Sequence, residues 1–111
     1  MTSIVLIMHR KAIVQGLISK LQDTTDISRI FESNYYNAND SIRSYDGKVA
    51  LIEVAESGFY NMTYCLRLCQ QIREEVPGCK LLMMCPDQDE RIVEEVIQTK
   101  GKGLIDDFVF Y

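Results

Sequence analysis

Several things are scarce in this chain of 111 residues, and each scarcity excludes a class of protein. Histidine occurs once, as His9, which leaves a zinc site without a matching pair of ligands. Lysine and arginine are never clustered; they are scattered from Arg10 to Lys102, mostly beside acids, and the net charge is -4. Phosphate contacts need clustered cations, so no nucleic-acid surface is expected in this domain. No apolar run approaches the roughly 18 residues of a membrane span, and no basic, apolar and small-residue succession opens the chain as a secretory signal would. A cytoplasmic location is expected. Prolines number two and glycines six, and there is no repeat, low-complexity tract or long linker. One domain over residues 1–111 is expected at this length.

Short apolar runs alternate with stretches of helical period. Ser3–Met8 and Val49–Val54 are continuous apolar runs rich in β-branched residues, as strands covered on both faces require. Ile27–Glu32, Lys80–Cys85 and Phe108–Tyr111 supply three more strands. From Arg10 the period changes: Ile13, Leu17 and Leu21 mark a helical stripe that ends near Asp23-Thr24-Thr25-Asp26. Ala38, Ser41 and Ile42 support a short second helix. Met62, Cys65, Leu68, Cys69, Ile72 and Val76 share one face of a third, which Pro77-Gly78 stops. Pro86-Asp87 opens a turn into a fourth helix with an inner stripe of Ile92, Val93, Val96 and Ile97, closed by Gly101 and Gly103. Five strands alternating with four helices predict an α/β fold with a doubly wound parallel sheet. In such sheets the functional crevice lies outside the carboxyl ends of the strands, which directs attention to Met8, His9, Glu53, Cys85 and Tyr111.

In architecture and spacing the whole chain resembles the receiver domain of two-component response regulators, a CheY-like, flavodoxin-like fold. The resemblance implies strand order 2-1-3-4-5 and a closing helix after the fifth strand that this sequence lacks. That lack implies an N-terminal part of a longer regulator or a partner chain over the bare sheet face, including a possible homodimer; the continuation is the preferred expectation. The resemblance also places the family's paired Mg²⁺-holding acids at Met8 and His9, and its phosphoacceptor at Glu53, which closes Val49-Ala50-Leu51-Ile52-Glu53. The Thr or Ser that senses the phosphoryl group falls on Cys85, the switch aromatic on Phe108 after Asp106-Asp107, and the phosphate-pairing lysine on Tyr111.

Every polar member of that set is changed. Magnesium wants hard oxygen ligands, which Met8 does not offer and His9 supplies poorly. The extra methylene of Glu53 displaces its carboxylate from the acceptor position. A degenerate receiver is therefore expected: no enzyme, no metal, no cofactor, and a phosphorylation-independent signalling module for a protein partner or output domain. Two readings of Glu53 stay open, a permanent imitation of a phosphorylated aspartate and a solvated acid left at a strand end. Two other functions are kept as alternatives. One is a working receiver using a displaced acid such as Glu56. The other is a flavodoxin-like small-molecule binder, against which stands the missing phosphate cradle, since Gly101 and Gly103 follow a helix instead of opening one. Cys65, Cys69, Cys79 and Cys85 are expected reduced and buried. Tyr35-Tyr36 and Phe59-Tyr60 fall in loops, as partner surface or as core edge.

Overall fold

The computed structural model describes residues 2–23 and 27–111, without the side chains of residues 27 and 28. Five strands, β1 (Thr2–Ile7), β2 (Ile27–Ser33), β3 (Val49–Glu53), β4 (Lys80–Cys85) and β5 (Asp107–Phe110), alternate with four helices, α1 (Lys11–Gln22), α2 (Ala38–Ser44), α3 (Met62–Glu75) and α4 (Glu90–Gly101). The strands form one parallel sheet in the order β2-β1-β3-β4-β5. The first strand ends at Ile7, so Met8 and His9 lie just past it; β5 likewise ends one residue before Tyr111. The turn expected at Thr24 to Asp26 lies outside the described residues.

Side-chain alternation divides the core into two layers. Val5, Ile7, Ala50, Ile52, Leu81, Met83 and Cys85 face α2, α3 and α4, in a core that also holds Ile42, Cys65, Cys69, Ile72 and Val96. Ile4, Leu6 and Met84 face α1, whose only fully buried side chain is Val14. Three helices thus cover one face and α1 the other.

Local chemistry fixes the helix ends that frame the crevice. Asn61 caps α3 by accepting from the Tyr64 N–H, and Asp89 caps α4 by accepting from the Arg91 N–H, satisfying amides the first turn leaves free. The short α2 exists because Ala38 and Ile42, one turn apart, are both fully buried. At the end of α2, Gly47 is required by close approach: a Cβ there would lie 2.9 Å from Val5 Cγ2.

Candidate functional site

Glu53 ends β3 in register with Met84 of β4 and is completely buried. The carboxylate is therefore not solvated, contrary to one of the two readings of Glu53. Isolated carboxylates are not tolerated in such a place, because desolvation costs more than the fold can offset. Here the compensation comes from the segment that follows β1. The Arg10 guanidinium donates through Nε to Glu53 Oε2. The backbone N–H groups of His9 and Arg10 donate to Oε1 at 3.1 and 3.4 Å, and His9 Nδ1 lies 3.2 Å from the same oxygen. The carbonyl of Glu53 accepts from the Tyr35 hydroxyl at 2.6 Å. Burial, reinforced by Cys65 and Glu53, pushes the Tyr35 phenol up, so it remains a hydroxyl donor.

Tyr111 closes the other side. Its ring lies 4.2 Å from the Arg10 guanidinium carbon, a cation–π stack, and its hydroxyl donates to the Val54 carbonyl at 2.6 Å. Its backbone is tied to β4 and the loop beyond: the Tyr111 N–H donates to Cys85 O at 2.9 Å, and Asp87 N–H donates to Tyr111 O at 3.2 Å. Burial, opposed by Arg10 and reinforced by Glu53, raises the Tyr111 phenol as well. One side chain from the β1 end thereby links the tip of β3 to the tip of β5.

The structure brings Glu53, His9 and Tyr111 together and leaves out Met8, Cys85 and the switch position Phe108. Met8 is buried in the α1-side core and presents no thioether to the crevice. Cys85 is fully buried, and burial pushes its thiol up to about 12, which denies it thiolate character. Phe108 is half-buried on the opposite face, packed against the main core and 5.2 Å from the Phe110 ring. Arg10, the residue that organises the site, carries no motif; its only sequence signal is its place directly after β1. Tyr35 was visible as part of an aromatic pair, of which it became the buried member while Tyr36 is 90% exposed.

The open part of the crevice is a cavity of ≈ 310 Å³ lined by His9, Arg10, Ala55, Glu56, Ser57 and Tyr111. Its donor set does not suit magnesium. The buried carboxylate already has both oxygens engaged, Glu56 is the one other acid lining it, and no group of three or more histidine, cysteine, aspartate or glutamate side chains able to hold a metal occurs among the described residues. The four cysteines are free and buried. Among the described residues no helix is long and apolar enough to cross a membrane.

No protein-family model and no curated protein matches the sequence. Solved structures do match in fold. A LuxR-family DNA-binding response regulator from Staphylococcus aureus is 15% identical with a TM-score of 0.74, over 99% of this chain and 86% of that one. A CheY-like protein, TadZ, from Pseudomonas aeruginosa PAO1 is 12% identical with a TM-score of 0.75, over 100% and 87%. The isolated receiver domain of RcsB from Salmonella enterica serovar Typhimurium, solved in the presence of the phosphomimetic BeF₃⁻, is 12% identical with a TM-score of 0.74, over 98% and 76%. With its parallel sheet in the order 2-1-3-4-5 and four helices, the chain has the CheY-like fold of response-regulator receiver domains.

Proposed function

We propose that this chain is a degenerate receiver, a phosphorylation-independent signalling and protein-interaction module of a cytoplasmic regulator, whose crevice is held in one state by the Arg10–Glu53 pair. The observation that carries the reading is the complete burial of Glu53 with both carboxylate oxygens engaged. An acceptor needs an oxygen lone pair directed at an incoming phosphorus, and a metal beside it to absorb charge. Both oxygens of Glu53 are already engaged by Arg10 and the backbone amides of His9 and Arg10, and the side chains around it are poor magnesium ligands. Its charge is instead neutralised permanently by a guanidinium, which needs no metal and no donor. On this reading Glu53 and Arg10 together stand in for the phosphorylated state, and the output passes to a protein partner or an appended output domain.

The test is incubation with Mg²⁺ and a small phosphodonor such as acetyl phosphate, followed by intact-mass measurement and peptide mapping, with beryllofluoride as a parallel probe. Unchanged mass is expected. A phosphoryl adduct on Glu53 would overturn the proposal. An adduct on Glu56, which is exposed and lines the crevice, would instead identify a working receiver with a displaced acceptor.

A further inference from the structure

The start of α1 has none of the devices that start the other two long helices. Arg10, its N-cap residue, makes no side-chain cap hydrogen bond, and its first turn holds no acid. Lys11 even puts a cation at the positive end of the helix dipole. Asn61 and Asp89, by contrast, cap α3 and α4 from within their own segments. The rest of α1 is weakly held as well. Val14 is its one buried side chain, against five in α3 and three in α4. Its polar ties to β2, from Gln15 and Lys11 to Glu32, are exposed and long, at 3.4 and 3.9 Å. Gly16 lowers helix propensity, yet a Cβ there would meet nothing within 4 Å, so packing does not call for a glycine.

What the helix lacks locally, β3 supplies from 43 residues away in the chain. Glu53 accepts from the backbone N–H groups of His9 and Arg10 and from the Arg10 guanidinium, so its carboxylate takes the part of the missing cap and first-turn acid. The Arg10 carbonyl in turn accepts from the Ile13 and Val14 N–H groups at 3.1 and 3.2 Å, the first bonds of the helix. Tyr111 stacks on the same guanidinium. One residue thus holds the crevice with its side chain and starts α1 with its carbonyl.

We propose that α1 is a strap that opens as a unit while the rest of the sheet stays folded, with the Glu53 carboxylate as its latch. Local opening draws on elements with few buried apolar side chains, and α1 has the fewest of the three long helices. Opening breaks the contacts between Arg10 and Glu53. An interaction that takes Arg10 from Glu53, or a change that removes the charge of Glu53, therefore shifts α1 toward the open form. That form uncovers Ile4, Leu6 and Met84, which make up the sheet side of the α1 core. The use of this device to carry a signal from crevice to α1 rests on the reading of the crevice as a degenerate receiver site, which intact mass tests separately from the exchange measurement below.

Native-state hydrogen exchange, read amide by amide, tests this in wild type, Glu53→Gln, Arg10→Ala, Gly16→Ala and Asp106→Asn. Amides from Leu17 to Leu21 report opening of the strap, and those of β3 and β4 report unfolding of the whole. In wild type the α1 amides should exchange at least about tenfold faster than those of β3 and β4. Because the latch breaks in the open form, Glu53→Gln should speed α1 exchange about fivefold and Arg10→Ala at least about tenfold. Gly16→Ala should slow it about fivefold. Asp106→Asn, whose partners Arg73 and Leu81 lie outside α1, should speed exchange in β3 and β4 and leave α1 unchanged. An α1 that exchanges at the wild-type rate in Glu53→Gln would overturn the latch, and this variant decides the matter even where Arg10→Ala does not fold. Wild-type α1 amides as slow as those of β4, or an α1 accelerated by Asp106→Asn as much as β4, would overturn the strap, since α1 would then open only with the whole molecule.

Discussion

Arg10 and Glu53 are not equivalent halves of one contact, and their asymmetry gives a prediction. Glu53 is wholly buried, while the Arg10 side chain is 37% exposed. Arg10→Ala leaves the carboxylate without its guanidinium partner, at a cost of about 3 kcal/mol. Glu53→Gln leaves a guanidinium that can turn to solvent, and should cost about 1 kcal/mol. Urea denaturation of the two variants at neutral pH checks the order; an equal or reversed loss would mean that the pair does not carry the charge of Glu53. The cysteines give a second prediction at this scale. Burial pushes the thiols of Cys69 and Cys85 up to about 12 and that of Cys79 up to about 11. A disulfide reagent at pH 8 should therefore label no thiol rapidly in the native protein and all four after denaturation. The strand-end positions of Glu53 and Cys85 were legible in the sequence because short continuous apolar runs announce where a doubly covered strand stops. The partner of Glu53 was not, because one arginine at a loop-to-helix junction looks like any solvated cation until the fold sets it beside a carboxylate 43 residues away in the chain.

Among the elements, α3 and β4 were legible nearly residue for residue, since a six-residue apolar stripe followed by Pro77-Gly78 leaves little choice. The end of β5 was one residue off because Tyr111 is aromatic like the strand before it, yet its side chain serves the crevice. The tie between α3 and the start of β5 left no such trace. Asp106 accepts from the Leu81 N–H at 2.8 Å and from Arg73 Nη2 at 2.7 Å, and Arg73 Nε also donates to the Leu104 carbonyl at 3.2 Å. Burial alone would raise the Asp106 carboxyl, but the Leu81 amide, Arg73 and Lys80 outweigh it and hold it below the ordinary aspartate range. A depressed folded pKa contributes stability above the unfolded value of about 3.9 and loses it as pH falls through the folded value. Asp106→Asn should cost about 1–3 kcal/mol at pH 7. The gap between wild type and variant should shrink as pH is lowered from about 5 to about 2. A gap that stays constant over that range would show that the carboxylate charge contributes nothing.

At the scale of the whole molecule, a doubly wound sheet places its crevice where strand order reverses, here between β1 and β3, and this was legible from the alternation of strands and helices. What fills that crevice decides how the molecule responds to metal. A receiver that held Mg²⁺ with a dissociation constant near 1 mM would gain about 1.4 kcal/mol at about 10 mM metal, worth roughly 5–10 °C in Tm for a domain of this size. In this chain the ion would first have to separate Glu53 from Arg10 and expose a buried charge pair, and Met8, turned into the core, offers no oxygen in exchange. Addition of about 10 mM MgCl₂, with beryllofluoride present or absent, should therefore shift the Tm by less than about 1 °C relative to a potassium chloride control of equal ionic strength. In Arg10→Ala the uncompensated carboxylate becomes an available oxygen ligand, so any metal-dependent rise should appear there first. A rise in wild type that equals or exceeds that of the variant would mean that the guanidinium does not occupy the place of the ion, and that the crevice is open to metal after all.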